Sequence, residues 1–364
     1  MKLSGNQLFW IIVTTEVIAM IGLRISPAII IAKQDAWLSM LMAGGIGIAL
    51  SLPVIHLSML HPNQTLTLFS QSLLGKWFGR ILVIPFLIVW YILSAALLRS
   101  FADFLHLVLV DRTPLWMIMI LLVGVTIYMT YSAGITGIGR FCELMGPVIM
   151  LTLLISIILN VGNVDLRYLQ PVYFDSGWLN IVKGSLAPSI WFAGPFTFLV
   201  IISFMQQPQK ALSRSIWGIC TTVLIVSIST LMVILVFGPN LSAKIRFPYF
   251  MFVRTIDILN FIQNVDIFIM FIWIFGVFAQ LSLYFFIASY ETAQWLKMKE
   301  WRKMIWIGAP IIFIMAILIP DETAFTQYDK FWTSVIFPVC GITIPLFLWI
   351  IAMIRKKSLN TEIK

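Results

Sequence analysis

Charge is what this sequence has least of. Only 11% of its 364 residues are Asp, Glu, Lys or Arg, where a soluble domain carries about 25%. A chain so poor in charge cannot present most of its surface to water. Cysteine is scarce as well: Cys142, Cys220 and Cys340 are odd in number, far apart and set in or beside apolar runs. They offer neither a disulfide framework nor a metal spacing. The three histidines, His56, His61 and His106, form no HExxH pattern. There is no Gly-rich phosphate loop, no GxSxG elbow and no carboxylate pair with a histidine. The sequence therefore predicts no enzyme, no metal and no cofactor. A net charge of +9 could suggest nucleic acid, but the cations stand in short gaps between apolar runs rather than among stacking aromatics on a polar scaffold. Membrane orientation explains them better. Lys2 is a weak positive region, Glu16 and Arg24 interrupt the first apolar run, and no small-x-small site follows, so no cleavable leader is expected.

What fills the chain is hydrophobic sequence, 60% of all residues. An apolar helix of about 20 residues crosses the hydrocarbon core of a bilayer. Ten stretches qualify, at about 8–32, 36–58, 81–107, 115–132, 143–161, 184–205, 214–237, 263–290, 303–320 and 331–354. They predict a single all-α transmembrane domain over 1–364 with both termini on one side. The connections on that side hold fourteen Lys and Arg residues, from Lys2 to Lys364, against eight on the other. By the positive-inside rule both termini are cytoplasmic. Between the second and third spans, Leu66, Phe69, Leu73 and Trp77 recur at three- and four-residue steps, with Lys76 and Arg80 beside them. That pattern predicts a short helix over about 63–78 lying in the cytoplasmic interface.

Two spans carry breakers near their middles. The first reads Ala19-Met-Ile-Gly-Leu-Arg-Ile-Ser-Pro27 and the sixth Trp191-Phe-Ala-Gly-Pro-Phe-Thr197. Proline removes a backbone donor and glycine lowers the cost of non-helical angles. In lipid, the freed backbone groups need partners in a cavity or on neighbouring helices. Either proline could simply kink a packed helix. A matched pair at the start of each five-helix half is the pattern of transporters whose unwound backbone binds substrate. Charges inside spans mark the same region. Arg99 and Asp103 are four apart and can pair along one helix face, for structure or for ligand. Glu16, Arg140 and Glu143 complete a candidate buried charge network. Arg24 can meet a ligand carboxylate, pair with Glu16, Asp103 or Glu143, or snorkel outward. Most Trp and Tyr residues sit at span ends as interfacial anchors. The candidate ligand-binding set is Met20, Gly22, Leu23 and Arg24 on the first helix, Arg99 and Asp103 on the third, Phe192, Gly194 and Phe196 on the sixth, and Trp273 on the eighth.

Short stretches along the whole chain then suggest a family. They are Gly5-Asn-Gln-Leu-Phe-Trp10, Lys33-Gln-Asp-Ala-Trp37, His61-Pro-Asn-Gln-Thr65, Leu74-Gly-Lys-Trp77, Arg99-Ser-Phe-Ala-Asp103, Asp111-Arg-Thr-Pro114, Gly139-Arg-Phe-Cys-Glu143, Val253-Arg-Thr-Ile-Asp257 and Ile319-Pro-Asp-Glu322. In this order they resemble the B subunits of bacterial spore germinant receptors, the GerAB-like spore permeases of the amino acid–polyamine–organocation transporter superfamily. The resemblance implies a LeuT-like fold of two inverted five-helix repeats with discontinuous helices 1 and 6. It also implies residence in the spore inner membrane, an A-type partner with a large soluble domain, and a lipoprotein C-type partner. The implied ligand is a small-molecule germinant (amino acid, nucleoside or sugar) held between the first, third, sixth and eighth helices. Where relatives often have Gly-x-Gly before the first proline, this chain has Met20 and Gly22. Where many carry glutamate after the sixth-helix glycine, it has Phe196. A sensing receptor subunit is the leading reading. A secondary amino-acid or organocation transporter working by alternating access is the second, and a structural or pore-forming membrane subunit the third.

Overall fold

The computed structural model describes residues 1–173, 177–256, 265–320 and 331–362. Asp257, Asp321 and Glu322, which end two of the stretches behind the resemblance, lie outside the described residues, as does Asp329. The described chain is helical, and its one isolated bridge joins Leu3 to Met205.

The first helix, α1 (Gly5–Leu23), starts at a reciprocal cap. The Ser4 hydroxyl accepts from the Gln7 N–H at 3.1 Å and the Gln7 side chain accepts from the Ser4 N–H at 3.0 Å, which satisfies two donors that a helix start leaves open. Helix α2 (Ile25–Ala32) resumes directly after Arg24. Next come α3 (Ala36–Leu60), the short α4 (Leu66–Leu74), α5 (Lys76–Val108) and α6 (Leu115–Leu159). Helices α7 (Gly177–Phe192) and α8 (Pro195–Ile201) form a second interrupted pair. They lead to α9 (Ala211–Ser242), α10 (Pro248–Arg254), α11 (Val265–Trp295) and α12 (Arg302–Leu318). The last helix begins as a π-helix, Trp332–Thr343, and continues as α13 (Ile344–Glu362).

Several element bounds differ from the sequence expectation for local reasons. The interfacial helix stops at Leu74 because Gly75 takes φ 85°, ψ 168°, so Trp77 falls in the first turn of α5. The fourth and fifth spans are joined in α6, whose 45 residues are interrupted by Gly134 at φ 56°, ψ −153°. A straight helix of that length would run about 68 Å, far more than the roughly 30 Å of a hydrocarbon core. Eight stretches among the described residues are individually long and apolar enough to cross a membrane. Helix α12, with 17 residues, falls just short of that set.

Burial sorts the helices into centre and rim. In the most apolar windows, 78% of α11, 76% of α7–α8 and 67% of α1 is buried, against 33% of α6 and of the last helix. Helix α1 packs on α6, α9 and α11, and α3 packs on α7 and α9. Two glycines set the closest approaches around the breaks. A Cβ on Gly276 of α11 would stand 2.4 Å from Ile18 of α1, and one on Gly47 of α3 would stand 2.7 Å from Phe192 of α7. Small residues let membrane helices pack backbone to backbone, where dispersion and not water exclusion drives association. The interrupted helices therefore lie in the interior of the bundle.

Candidate functional site

The two interruptions have different causes. Pro27 lies in the first turn of α2, so it cannot donate to the carbonyl of Leu23 and its ring would clash there. The helix is released at Arg24, whose backbone is at φ −126°, ψ −4° while its N–H still reaches Met20 O at 3.0 Å. In the other pair, Gly194 takes the left-handed conformation, φ 49°, ψ 32°, and Pro195 opens α8. The Gly194 N–H donates to Trp191 O at 3.1 Å, and Gly194 O accepts from Phe198 N at 3.1 Å. Gly22, expected to supply non-helical angles, instead lies inside α1.

A cation and a ladder of aromatic rings tie the interruptions together. The Arg24 guanidinium lies 3.6 Å from the centre of the Trp191 ring. That ring stacks on Trp332 at 5.6 Å and 7°, and Trp332 in turn meets Phe196 at 5.6 Å. Phe196 packs on Phe86 at 6.3 Å, and Trp90 Nε1–H donates to Phe196 O at 3.0 Å. Phe196 is thus an apolar plug against the last helix. Trp332, at the start of the last expected span, is buried in this ladder rather than set at the interface.

Beside α1 lies a small cavity of about 30 Å³, lined by Ile18, Ala19 and Gly22 of α1, Leu97, Ser100, Phe101 and Phe104 of α5, and Trp273, Val277 and Gln280 of α11. Gly22 has open space where a Cβ would stand. Of the candidates whose side chains are described, only Gly22 and Trp273 line this cavity. Met20 is fully buried but does not line it. The side chain of Leu23 lies outside the described residues. Phe192 is buried against Gly47, and Phe196 belongs to the aromatic ladder.

The charged candidates lie elsewhere. Arg99 Nε pairs with Asp103 at 3.1 Å, and Arg99 Nη2 donates to Pro320 O at 3.1 Å. Positions 97, 100, 101 and 104 turn to the cavity, which leaves 99 and 103 on a neighbouring face that ties α5 to the end of α12. The expected network of Glu16, Arg140 and Glu143 is not formed. Glu16 is buried on α1, Arg140 is exposed and Glu143 half-buried, and no ion pair joins the last two. The buried face of α6 carries Ile135, Ile138, Gly139, Cys142 and Gly146, so Arg140 points away from the bundle. Among the described residues no group of His, Cys, Asp or Glu side chains is gathered to hold a metal ion.

Sequence reasoning passed over Ser100, Phe101, Phe104 and Gln280. Gln280 carried a usable signal, a polar side chain in mid-span at the same helical face as Trp273 and Val277. A second region that the sequence does not single out is the C-terminal end of α11. There the buried Glu291 carboxylate accepts from the Thr67 N–H at 3.0 Å and the Thr67 hydroxyl at 2.6 Å. A distant helix thus caps the start of α4. Arg80 and Trp295 exchange side-chain-to-backbone hydrogen bonds in both directions.

Comparison with known proteins places this geometry. Residues 2–326 match the family described as "Spore germination protein". Spore germination protein YndE of Bacillus subtilis is 23% identical over 327 residues, 90% of this chain and 89% of the relative. Spore germination protein KB of the same organism is 24% identical, over 98% of this chain and 96% of the relative. Among solved structures, the nucleobase-cation-symport-1 transporter MHP1, closed with bromovinylhydantoin bound, superposes with a TM-score of 0.69 at 13% identity, covering 94% of this chain and 77% of that one. MhsT in complex with L-phenylalanine gives 0.64 at 14% identity, covering 95% and 90%. At such identities the likeness is one of fold, that of LeuT-type transporters.

Proposed function

Because the chain belongs to the spore germination protein family, we propose that it is the membrane-embedded subunit of a spore germinant receptor. On this reading it spans the spore inner membrane ten times as two inverted five-helix repeats, with α6 crossing twice about Gly134 and both termini in the cytoplasm. It senses a small-molecule germinant and passes the signal to an A-type subunit with a large soluble domain and a lipoprotein C-type subunit.

The observation that carries the reading is the cavity beside the interrupted helix α1, walled by α1, α5 and α11. A ligand there can bias a two-state bundle only if it binds the two states unequally, and interrupted helices are where two arrangements of one chain differ least in cost. Helix α11 supplies a route outward. Its outer half lines the cavity, and its other end holds α4 through Glu291 and α5 through Trp295.

Deletion of the gene tests the function. The expected outcome is spores that lose the response to one germinant while answering others normally, and unchanged kinetics toward every germinant would sink the receptor reading. The MHP1 and MhsT likenesses favour a transporter as the second reading. Substrate counterflow by the purified chain in liposomes would support it over the first. The route along α11 has its own test. Glu291→Ala should leave ligand binding intact and abolish the germination response, because α4 loses its cap. A variant that germinates at the normal rate removes α4 from the signal path.

A further inference from the structure

We propose that the α1–α5–α11 cavity recognises an uncharged ligand, through the indole N–H of Trp273 and the amide oxygen of Gln280. The inference rests on the reading of this cavity as the sensing site. Trp273 and Gln280 are 4% and 3% exposed, both line the cavity, and neither Trp273 Nε1 nor Gln280 Oε1 has a hydrogen-bond partner. Buried polar atoms are nearly always paired, so an unpaired donor and an unpaired acceptor on two residues that line one cavity call for a molecule that supplies both partners. Each is held in place. The Trp273 ring stacks on Tyr249 at 5.6 Å and 22°. The Gln280 Nε2 group points to the Tyr284 hydroxyl at 3.4 Å, which leaves its Oε1 as the atom to be satisfied.

The charge balance excludes ionic ligands. No charged side chain lines the cavity. Arg24 is stacked on Trp191, and Arg99 is committed to Asp103 and Pro320 O. Glu16 of α1 is buried but is not part of the cavity wall, so a carboxylate or an ammonium placed here would touch no counter-charge. The two polar atoms belong to residues two turns apart on α11, about 10 Å of helix rise, with Val277 between them and Phe101 and Phe104 opposite. The ligand class is therefore a neutral molecule with an apolar middle, a hydrogen-bond acceptor toward Trp273 and a donor toward Gln280. At about 30 Å³ the cavity is near the size that admits one water, so such a ligand enters as α1 or the Phe101 and Phe104 rings move aside.

Thermal unfolding of the full chain in lipid nanodiscs tests this with three probes: uridine, N-acetyl-L-phenylalaninamide and zwitterionic L-phenylalanine. At least one neutral probe should raise Tm, and L-phenylalanine should not. Trp273→Phe and Gln280→Leu should each weaken the neutral probe's apparent affinity at least tenfold while leaving the ligand-free Tm unchanged or higher. That second readout separates recognition from structure, because replacing an unpaired buried polar group by an apolar one of similar shape costs a fold little. The proposal is overturned if neither neutral probe shifts Tm, if both variants bind the neutral probe as the wild type does, or if L-phenylalanine alone stabilises. Ala19→Phe fills the cavity and separates the two levels of failure. A neutral-probe shift that survives in this variant places binding elsewhere and removes the site reading itself. An L-phenylalanine shift that this variant abolishes keeps the site and discards only the uncharged ligand.

Discussion

The two interrupted helix pairs reach a similar end by different means. Between α7 and α8 the chain turns left-handed at Gly194 and a proline restarts the helix. Only a residue without Cβ does this at no steric cost. Between α1 and α2 no left-handed residue is present. Arg24 keeps a hydrogen bond to Met20 O, and the interruption exists because Pro27 cannot complete the turn. The first break is fixed by backbone sterics, whereas the second depends on what holds Arg24. One of those contacts is the Trp191 ring at the end of α7, so the softer break leans on the harder one. The difference teaches which half of the bundle is free to respond. Helix α1 lines the cavity at Ile18, Ala19 and Gly22, while the α7–α8 break is packed into an aromatic ladder.

Substituting the glycines and the cation probes that asymmetry. Gly194→Ala should have the largest effect, a loss of about 1–2 kcal/mol from forcing an L side chain into left-handed space. The added Cβ would also stand 3.2 Å from the Phe198 ring. A denaturant titration showing wild-type stability would mean that the α7–α8 break is as pliable as the other. Arg24→Gln removes the charge over Trp191 and should cost about 1 kcal/mol. It should also raise hydrogen exchange in α2 more than in α8, and equal protection in the two helices would contradict the dependence of the α1–α2 break on Arg24. Gly22→Ala should be the smallest change and of opposite sign, a gain of about 0.5 kcal/mol, because Gly22 is helical and its Cβ position is open. If Gly22→Ala destabilises as much as Gly194→Ala, the two breaks are alike after all.

Individual residues show why part of the site was legible and part was not. Gly194-Pro195 announced its break because the pair has a local cause. Gly22 stands five residues before Pro27 and is helical, since the missing donor of Pro27 acts four residues back, on Leu23, and not on the nearest glycine. Pro53, Pro85, Pro147 and Pro188 lie inside helices that continue past them, so proline alone does not mark an interruption. Arg99 and Asp103 were correctly paired by their spacing of four. Their separation from the cavity depended on the angle at which α5 meets α1 and α11, which no spacing within α5 contains. Gln280 was passed over because one amide in an apolar run looks like any helix-packing residue until its oxygen is found without a partner.

By itself the sequence determined the class of the molecule. Scarcity of charge over hundreds of residues leaves lipid as the surrounding solvent, and in lipid a chain must satisfy its backbone within helices. It also determined where a helix could fail, because proline and glycine act through local geometry. Only the tertiary structure decided which possible failures occur, that Phe196 and Trp332 close one of them, and that Trp273 and Gln280 line a shared cavity whose wall holds no charged side chain. Those outcomes depend on packing between helices far apart in the chain, where the balance is set by shape and by the cost of burying an unpaired polar atom.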